Sequence, residues 1–265
     1  MTASPARARA ALRTVVDTQT QRVGATEVVA VPSVITPLAT LLATHDSLYD
    51  WAAGQPQPRA LRGRAPVFVA ALPDNGPTVV VRHAWHGGFL APITADRFRR
   101  PSRAPIELQR SAALRAAGIP TTEVLGFVRY PAALGLCRID VVTRYVDHAA
   151  DLGMVLAGLS PNFSCDAALE ATQTLLVQLA RSGVIHPDLN VKNVLLRPTA
   201  TDVFEALVID VDMVRWDPER PPVDTMAANV ARLTRSVRKW HTQFGCDIGE
   251  SHLAAFTQSA LAALQ

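Results

Sequence analysis

The 265-residue sequence predicts an α+β chain in two parts, a small strand-rich first half carrying one helix and a larger, mainly helical second half. Three observations predict it. Up to Tyr145 the apolar residues come in short runs bounded by turn residues, as in Val67-Phe68-Val69 and Val79-Val80-Val81 on either side of Asp74-Asn75-Gly76-Pro77, which is the pattern of paired strands. From Asp166 the spacing changes to the period of a helix face, through Leu169, Leu176, Leu179 and Ala180. The helix so predicted leads into His186-Pro187-Asp188-Leu189-Asn190-Val191-Lys192-Asn193, a polar loop followed by an apolar run that ends in Asp210.

Taken in order, Met1 to Arg13 carries three arginines among alanines, but polar Asp17 to Gln21 follows where a secretory signal would have its apolar core. It reads as a frayed tail, and residues 1–45 as an N-terminal extension. The most apolar stretch, Val28 to Ala43, is broken by Pro32 and Pro37 and falls short of the ~20 residues needed to span a bilayer. Arg59 to Arg64 is a basic turn containing Gly63, a one-glycine candidate for a phosphate loop that feeds a hairpin over 61–84. A basic, glycine-bearing segment from His86-Gly87-Gly88 to Arg103 leads to a helix from about Ile106 to Ala117, stopped by Gly118 and Pro120. Strands at Val124 to Tyr130 and Arg138 to Tyr145 complete a first part over 46–146. In the second part, 147–265, Asp166 is expected to cap the helix that ends at Gly183. A short hairpin (Val194 to Leu196, Ala206 to Ile209) and helices at Thr225 to Phe244 and Ser251 to Leu264 follow.

Composition narrows the function. With 49% hydrophobic and 18% charged residues the chain can bury a core, which excludes a disordered protein. Three scattered cysteines, Cys137, Cys165 and Cys246, form neither a disulfide framework nor a zinc motif, as expected of a reducing compartment. A net charge of +3 permits an anionic partner. The basic residues are not interleaved with aromatics, so nucleic acid is not the expected one.

The loop carries chemistry. Phosphoryl transfer to an alcohol needs a carboxylate to orient the hydroxyl or accept its proton, and oxygen ligands to hold a divalent metal against the phosphates. H-x-D-L-x-x-x-N with a later acid supplies them: Asp188 as base, Asn193 and Asp210 as metal ligands. His186 reads as structural, Asp212 as shaping the second loop, and Lys192 could face phosphate or point away. Upstream, Arg82 ends a strand where a kinase places a cation for nucleotide phosphates, and Glu107 in the next helix is its natural partner. Hairpin, cation, helix acid, catalytic loop, metal acid is the order of a kinase. In the late helix Arg232 and Arg235, with Arg238 or Lys239, recur every three or four residues and are expected to share a face with Asn229 as an acceptor-binding surface.

Five stretches resemble the lipopolysaccharide kinase family: Leu61 to Arg64, Val81 to Gly88, Glu107 through Pro120, His186 to Asn193, and Ala228 to Ser236. The resemblance implies a protein-kinase-like two-lobed fold, ATP and Mg2+. It implies phosphorylation of a 3-deoxy-D-manno-octulosonic acid (Kdo) hydroxyl on a lipid A precursor, an anionic lipid-linked sugar, by a protein peripheral on the cytoplasmic face of the inner membrane. It places Asn190 where protein kinases keep a nucleotide-site lysine, and the family also has asparagine there. The chain departs from the family at His86, where a basic Arg-Gly-Gly turn is usual, and at Met213, where an arginine follows the metal acid. A phosphotransferase for another small molecule or a protein, and a nucleotide-binding pseudokinase, are the alternatives.

Overall fold

The computed structural model describes residues 10–11, 15–56, 58–61, 66–85, 96–98, 102–245 and 248–264. Gly63, the His86-Gly87-Gly88 turn and the arginines at 7, 9 and 13 lie outside these residues; of the basic stretch expected as a turn, Arg59–Leu61 is described and is a strand. The chain divides into two units, one of residues 15–109 and 123–145, the other including 110–122 and 146–265.

The first unit is an antiparallel sheet of β1 (Gln19–Val23), β2 (Thr26–Ala30), β3 (Arg59–Leu61), β4 (Val67–Ala71), β5 (Thr78–His83), β6 (Val124–Pro131) and β7 (Cys137–Arg144), in the order β1-β2-β6-β7-β5-β4-β3. The segment expected as an extension is therefore largely part of this unit. β2 pairs with β6 (Glu27 with Arg129, Val28 with Val128), and helices α1 (Pro32–Leu42) and α2 (Leu48–Ala53) follow it. Pro32, which broke the apolar stretch in sequence, starts α1, where a missing N–H loses nothing. Val34, Ile35, Leu38 and Trp51 join Val28, Val79, Val81, Leu125 and Val142 in a buried core on one sheet face. On the other face Leu108 from helix α3 (Ala104–Ala117) joins Phe127, Ile139 and Val141. Each such side chain contributes about 1.5–3 kcal/mol by burial. No sequence period announces Gly126, yet a Cβ there would lie 2.6 Å from both the Ala30 Cβ and the Val29 carbonyl oxygen, so β2 and β6 approach too closely for any other residue.

The second unit has β8 (Ala150–Asp151), α4 (Leu152–Leu156), α5 (Cys165–Arg181), β9 (Val184–Ile185), β10 (Val194–Ala200), β11 (Val203–Val208), β12 (Arg215–Trp216), α6 (Pro222–Phe244) and α7 (Glu250–Ala262). Its core gathers Leu175, Leu176 and Leu179 of α5 with Met226, Val230, Leu233 and Val237 of α6. Ser164, not Asp166, caps α5, accepting from the Ala167 N–H; Asp166 lies in the first turn, where the helix dipole favours an acid. Gly183 ends the segment as expected, at φ +67°. β10 and β11 pair antiparallel from Val194/Val208 outward, and β9 pairs with β12. Among the described residues no helix is long and apolar enough to cross a membrane.

Candidate active site

The loop after β9 is held by side chains bonded to its own and neighbouring backbone. His186 is buried; its Nδ1 accepts from the Asp188 N–H (3.2 Å), so its Nε2 carries the proton and donates to the Ile209 carbonyl (3.0 Å). The ring thus ties the loop to the strand that delivers Asp210, the structural role expected of it. Asn190 forms a local turn, its Oδ1 accepting from the Lys192 N–H and its amide donating to the Asp188 carbonyl, at 2.9 and 3.0 Å. Both ends of the Asn190 amide are used within the loop.

Asn193 is buried and donates its amide to the Asp188 carbonyl (2.9 Å), which turns Oδ1 to the opposite side. Its own carbonyl accepts from the Ile209 N–H (3.0 Å), so β10 and β11 bring Asn193 beside the residue preceding Asp210. The end of β11 is fixed by Thr121, whose hydroxyl donates to the Val208 carbonyl (2.6 Å), and by the Val208 N–H donating to the Pro120 carbonyl. Asp210 then takes the left-handed conformation (φ 61°, ψ 49°), unusual for a residue with a Cβ, and its exposed carboxylate makes no capping bond to the turn it begins. Strain of this kind is retained where a side chain is being aimed.

Among the described residues no group of three or more His, Cys, Asp or Glu could hold a metal ion. An amide oxygen and one carboxylate are hard oxygen donors of the kind that suits Mg2+, whose remaining positions phosphate oxygens and water fill. The donor chemistry of Asn193 and Asp210 fits that ion.

Asp188 has a half-exposed carboxylate, with the Arg232 guanidinium 3.8 Å away; Arg232 also donates to the Pro187 carbonyl. Arg235 and Lys239 are exposed on the same helix. Asn229 does not join them. It is fully buried, accepts from the His186 N–H (3.0 Å) and donates to the Val184 carbonyl (2.8 Å). The reason is helical: six residues turn through about 600°, so Asn229 and Arg235 point some 120° apart. Spacing by threes drifts off a face, and Asn229 positions the loop from below.

Two features had no signal in the spacing. Lys192 lays its ammonium 5.1 Å from the centre of the Trp240 ring, whose indole N–H donates to the Gly153 carbonyl (2.8 Å), so it is drawn to the α6 side. Arg110 donates to the Asp212 carbonyl, bringing a cation to the loop where Met213 replaces one.

In the first unit, strand alternation puts Val79, Val81 and His83 on one face and Val80 and Arg82 on the other, toward α3. There the Arg82 Nη2 contacts both oxygens of Glu107, at 2.6 and 2.8 Å, with Glu107 buried. The expected pair forms.

An exposed carboxylate on a pinned loop, an amide and a second acid whose oxygens suit a magnesium ion, and a separate arginine–glutamate pair are the kinds of group a phosphotransferase uses. Comparison with known proteins agrees. The chain belongs to the lipopolysaccharide kinase (Kdo/WaaP) family, whose pattern it matches over residues 63–259, and with it to the kinases of lipopolysaccharide biosynthesis. It is 29% identical over 182 residues to a 3-deoxy-D-manno-octulosonic acid kinase of Actinobacillus succinogenes, covering 67% of this chain and 73% of that one. It is 31% identical over 173 residues to the protein of that name from Xanthomonas oryzae pv. oryzae (strain PXO99A), covering 60% of this chain and 61% of the relative's length. A solved structure, WaaP in complex with acyl carrier protein, aligns with 78% of this chain and 89% of its own at 18% identity and a TM-score of 0.41.

Proposed function

We propose that the chain transfers the terminal phosphoryl group of ATP to a hydroxyl of Kdo on a lipid A precursor, as a peripheral protein at the cytoplasmic face of the inner membrane. In this reading the two units are the small and large lobes of a protein-kinase-like fold. The observation that carries it is the Asp188 carboxylate, exposed on a loop pinned by Asn193 and His186 and flanked by Arg232. Asp188 orients the acceptor hydroxyl and takes its proton. Asn193 and Asp210 would hold Mg2+, which when bound neutralises charge on the phosphate oxygens. Arg82, oriented by Glu107, contacts nucleotide phosphate; Gly63 belongs to the phosphate-binding turn, and Asn190 keeps the nucleotide side of the loop in shape. Arg232 and Arg235 meet the carboxylate and phosphates of the acceptor, and the same basic surface favours an anionic membrane. The names of the relatives support Kdo as the sugar.

The purified chain with ATP, Mg2+ and a Kdo-lipid acceptor should add the mass of one phosphate to the acceptor. Asp188→Ala should lower turnover by about 10²–10⁴-fold, the range of a general base, with an unchanged melting temperature because the side chain is exposed. Transfer to an aminoglycoside or a protein with none to Kdo-lipid would move the acceptor to another class. Nucleotide binding with no transfer to any acceptor would make the chain a pseudokinase.

A further inference from the structure

One end of the seven-stranded sheet has a composition that packing among the described residues does not explain. Strand register brings three segments to it. Glu27 pairs with Arg129, which places the β1–β2 turn beside the end of β6; the β6–β7 hairpin follows from Pro131 to Cys137; and His83 pairs with Asp140, with the Ala84 N–H on the Ile139 carbonyl, which brings Trp85 alongside.

At the apex of the hairpin Ala133–Leu136 is a β-turn, closed by the Leu136 N–H donating to the Ala133 carbonyl (3.3 Å). Leu134 and Gly135, its central residues, have φ of 60° and 71°. Positive φ at both positions is the primed hairpin turn, where Asn, Asp or Gly is at ease in the first position and a bulky apolar residue is not. Leu134 is nevertheless there, and it is 95% exposed. Neither backbone preference nor burial accounts for it. Pro131 and Ala133 beside it, and Ala25 in the neighbouring turn, are also exposed. Trp85 is 52% exposed, with its ring set edge-on to His83. Arg22 on β1 and Arg138 on β7, opposite Tyr130, are exposed at the base of these turns.

From this arrangement we infer that this sheet end docks on an anionic lipid bilayer, Leu134 and Trp85 entering the boundary between headgroups and acyl chains while Arg22 and Arg138 meet lipid phosphates. An apolar tip, a flanking tryptophan and cations set back from the tip match the layers of a bilayer surface in order. Projecting turns are convex, whereas a stable protein interface wants upwards of ~1,000 Å² of complementary surface. The inference deepens the peripheral-membrane part of the reading above and rests on it there alone, since docking on plain lipid needs neither nucleotide nor Kdo.

The test is co-sedimentation of the full chain with vesicles free of Kdo lipid, with no ATP, comparing phosphatidylglycerol/phosphatidylcholine mixtures with phosphatidylcholine alone. The wild type should bind the anionic vesicles, less so as salt rises. Leu134→Gly removes the side chain and suits the positive φ, so it should keep or raise the melting temperature while weakening partitioning about tenfold or more. Arg138→Gln should weaken binding to anionic vesicles and leave the phosphatidylcholine result unchanged. Binding of Leu134→Gly within twofold of wild type would overturn the inference. So would absence of wild-type binding, or a dimer in solution that Leu134→Gly converts to monomer with no vesicle binding by either. Failure of phosphate transfer to Kdo-lipid with vesicle binding intact would count against the acceptor and not against this surface.

Discussion

Asn229 accepts a hydrogen bond from the His186 N–H and donates one to the Val184 carbonyl, closing both ends of a fully buried amide on the backbone that enters the Asp188 loop. Asn229→Leu would fill similar space and leave a buried donor and a buried acceptor unpaired. At about 1–3 kcal/mol for each unsatisfied group, the substitution should lower unfolding stability by about 2–6 kcal/mol and reduce turnover in the fraction that stays folded. Urea denaturation with a parallel phosphate-transfer assay checks both. Stability within 0.5 kcal/mol of wild type, roughly the scatter of neutral surface changes, would remove Asn229 from this role.

Arg82 and Glu107 should behave as a unit. Glu107→Gln keeps the shape and loses the charge that orients the guanidinium, and Arg82→Met removes the cation. Under the nucleotide-binding role both raise the KM for ATP, with the double variant little worse than Arg82→Met alone, because coupled residues are not additive. Two independent, additive losses would separate the pair from a common function.

His83 makes stability depend on pH. Burial on its own would lower its pKa, but hydrogen bonds and charge from Asp140 (Nδ1 to Oδ1, 2.6 Å) and Asp96 (Nε2 to Oδ2, 3.1 Å) outweigh that and hold it above the ordinary 6.5. A raised folded-state pKa stabilises fully below 6.5 and loses that contribution as pH climbs through the folded value. Wild-type denaturation midpoints should therefore fall on going from pH 6.5 toward alkaline pH, and His83→Gln should flatten that slope. The network is broader than the imidazole. Asp140, wholly buried, also accepts from the Tyr130 hydroxyl and the Tyr49 N–H, and burial first, then the Asp140 charge, raises the pKa of Tyr130. An equal slope in the variant would assign the pH dependence to another group.

Gly183→Ala should be among the most damaging single-methyl changes in the chain. The position has φ +67°, and a Cβ would stand 1.8 Å from the Asp217 carbonyl oxygen, a backbone atom that cannot swing aside. Since the Asp217 N–H donates to the Gly183 carbonyl (2.9 Å), the contact also sets the pairing of β9 with β12. Loss of soluble expression, or a fall of more than about 3 kcal/mol, is the expected outcome, with Gly24→Ala, also at positive φ but with open space around it, as the milder control.

Much of the site was legible because its chemistry is local. Asp188, Asn193 and Asp210 stand at fixed spacings on a loop and a hairpin whose geometry follows from neighbouring residues, and Arg82 and Glu107 could be paired from a strand end, a helix first turn and the order of the elements. What the spacing missed was rotational. A helix turns about 100° per residue, so a repeat by threes left Asn229 in the interior and not on the exposed face of Arg232 and Arg235. The pairing of β2 with β6, across about a hundred residues, was hidden for a different reason: such pairing leaves no period in either strand, and residues 1–45, which contain β2, read as an extension.

By itself, then, the sequence determined the reaction class, since an acid, an amide and a second acid at these intervals are set by covalent connectivity and turn chemistry. Only the tertiary structure decided which of the polar side chains stay exposed and which are tied to backbone. That division depends on burial and on where each hydrogen bond ends, and for Asn229, His186 and Asn190 every polar atom of the side chain ends on backbone.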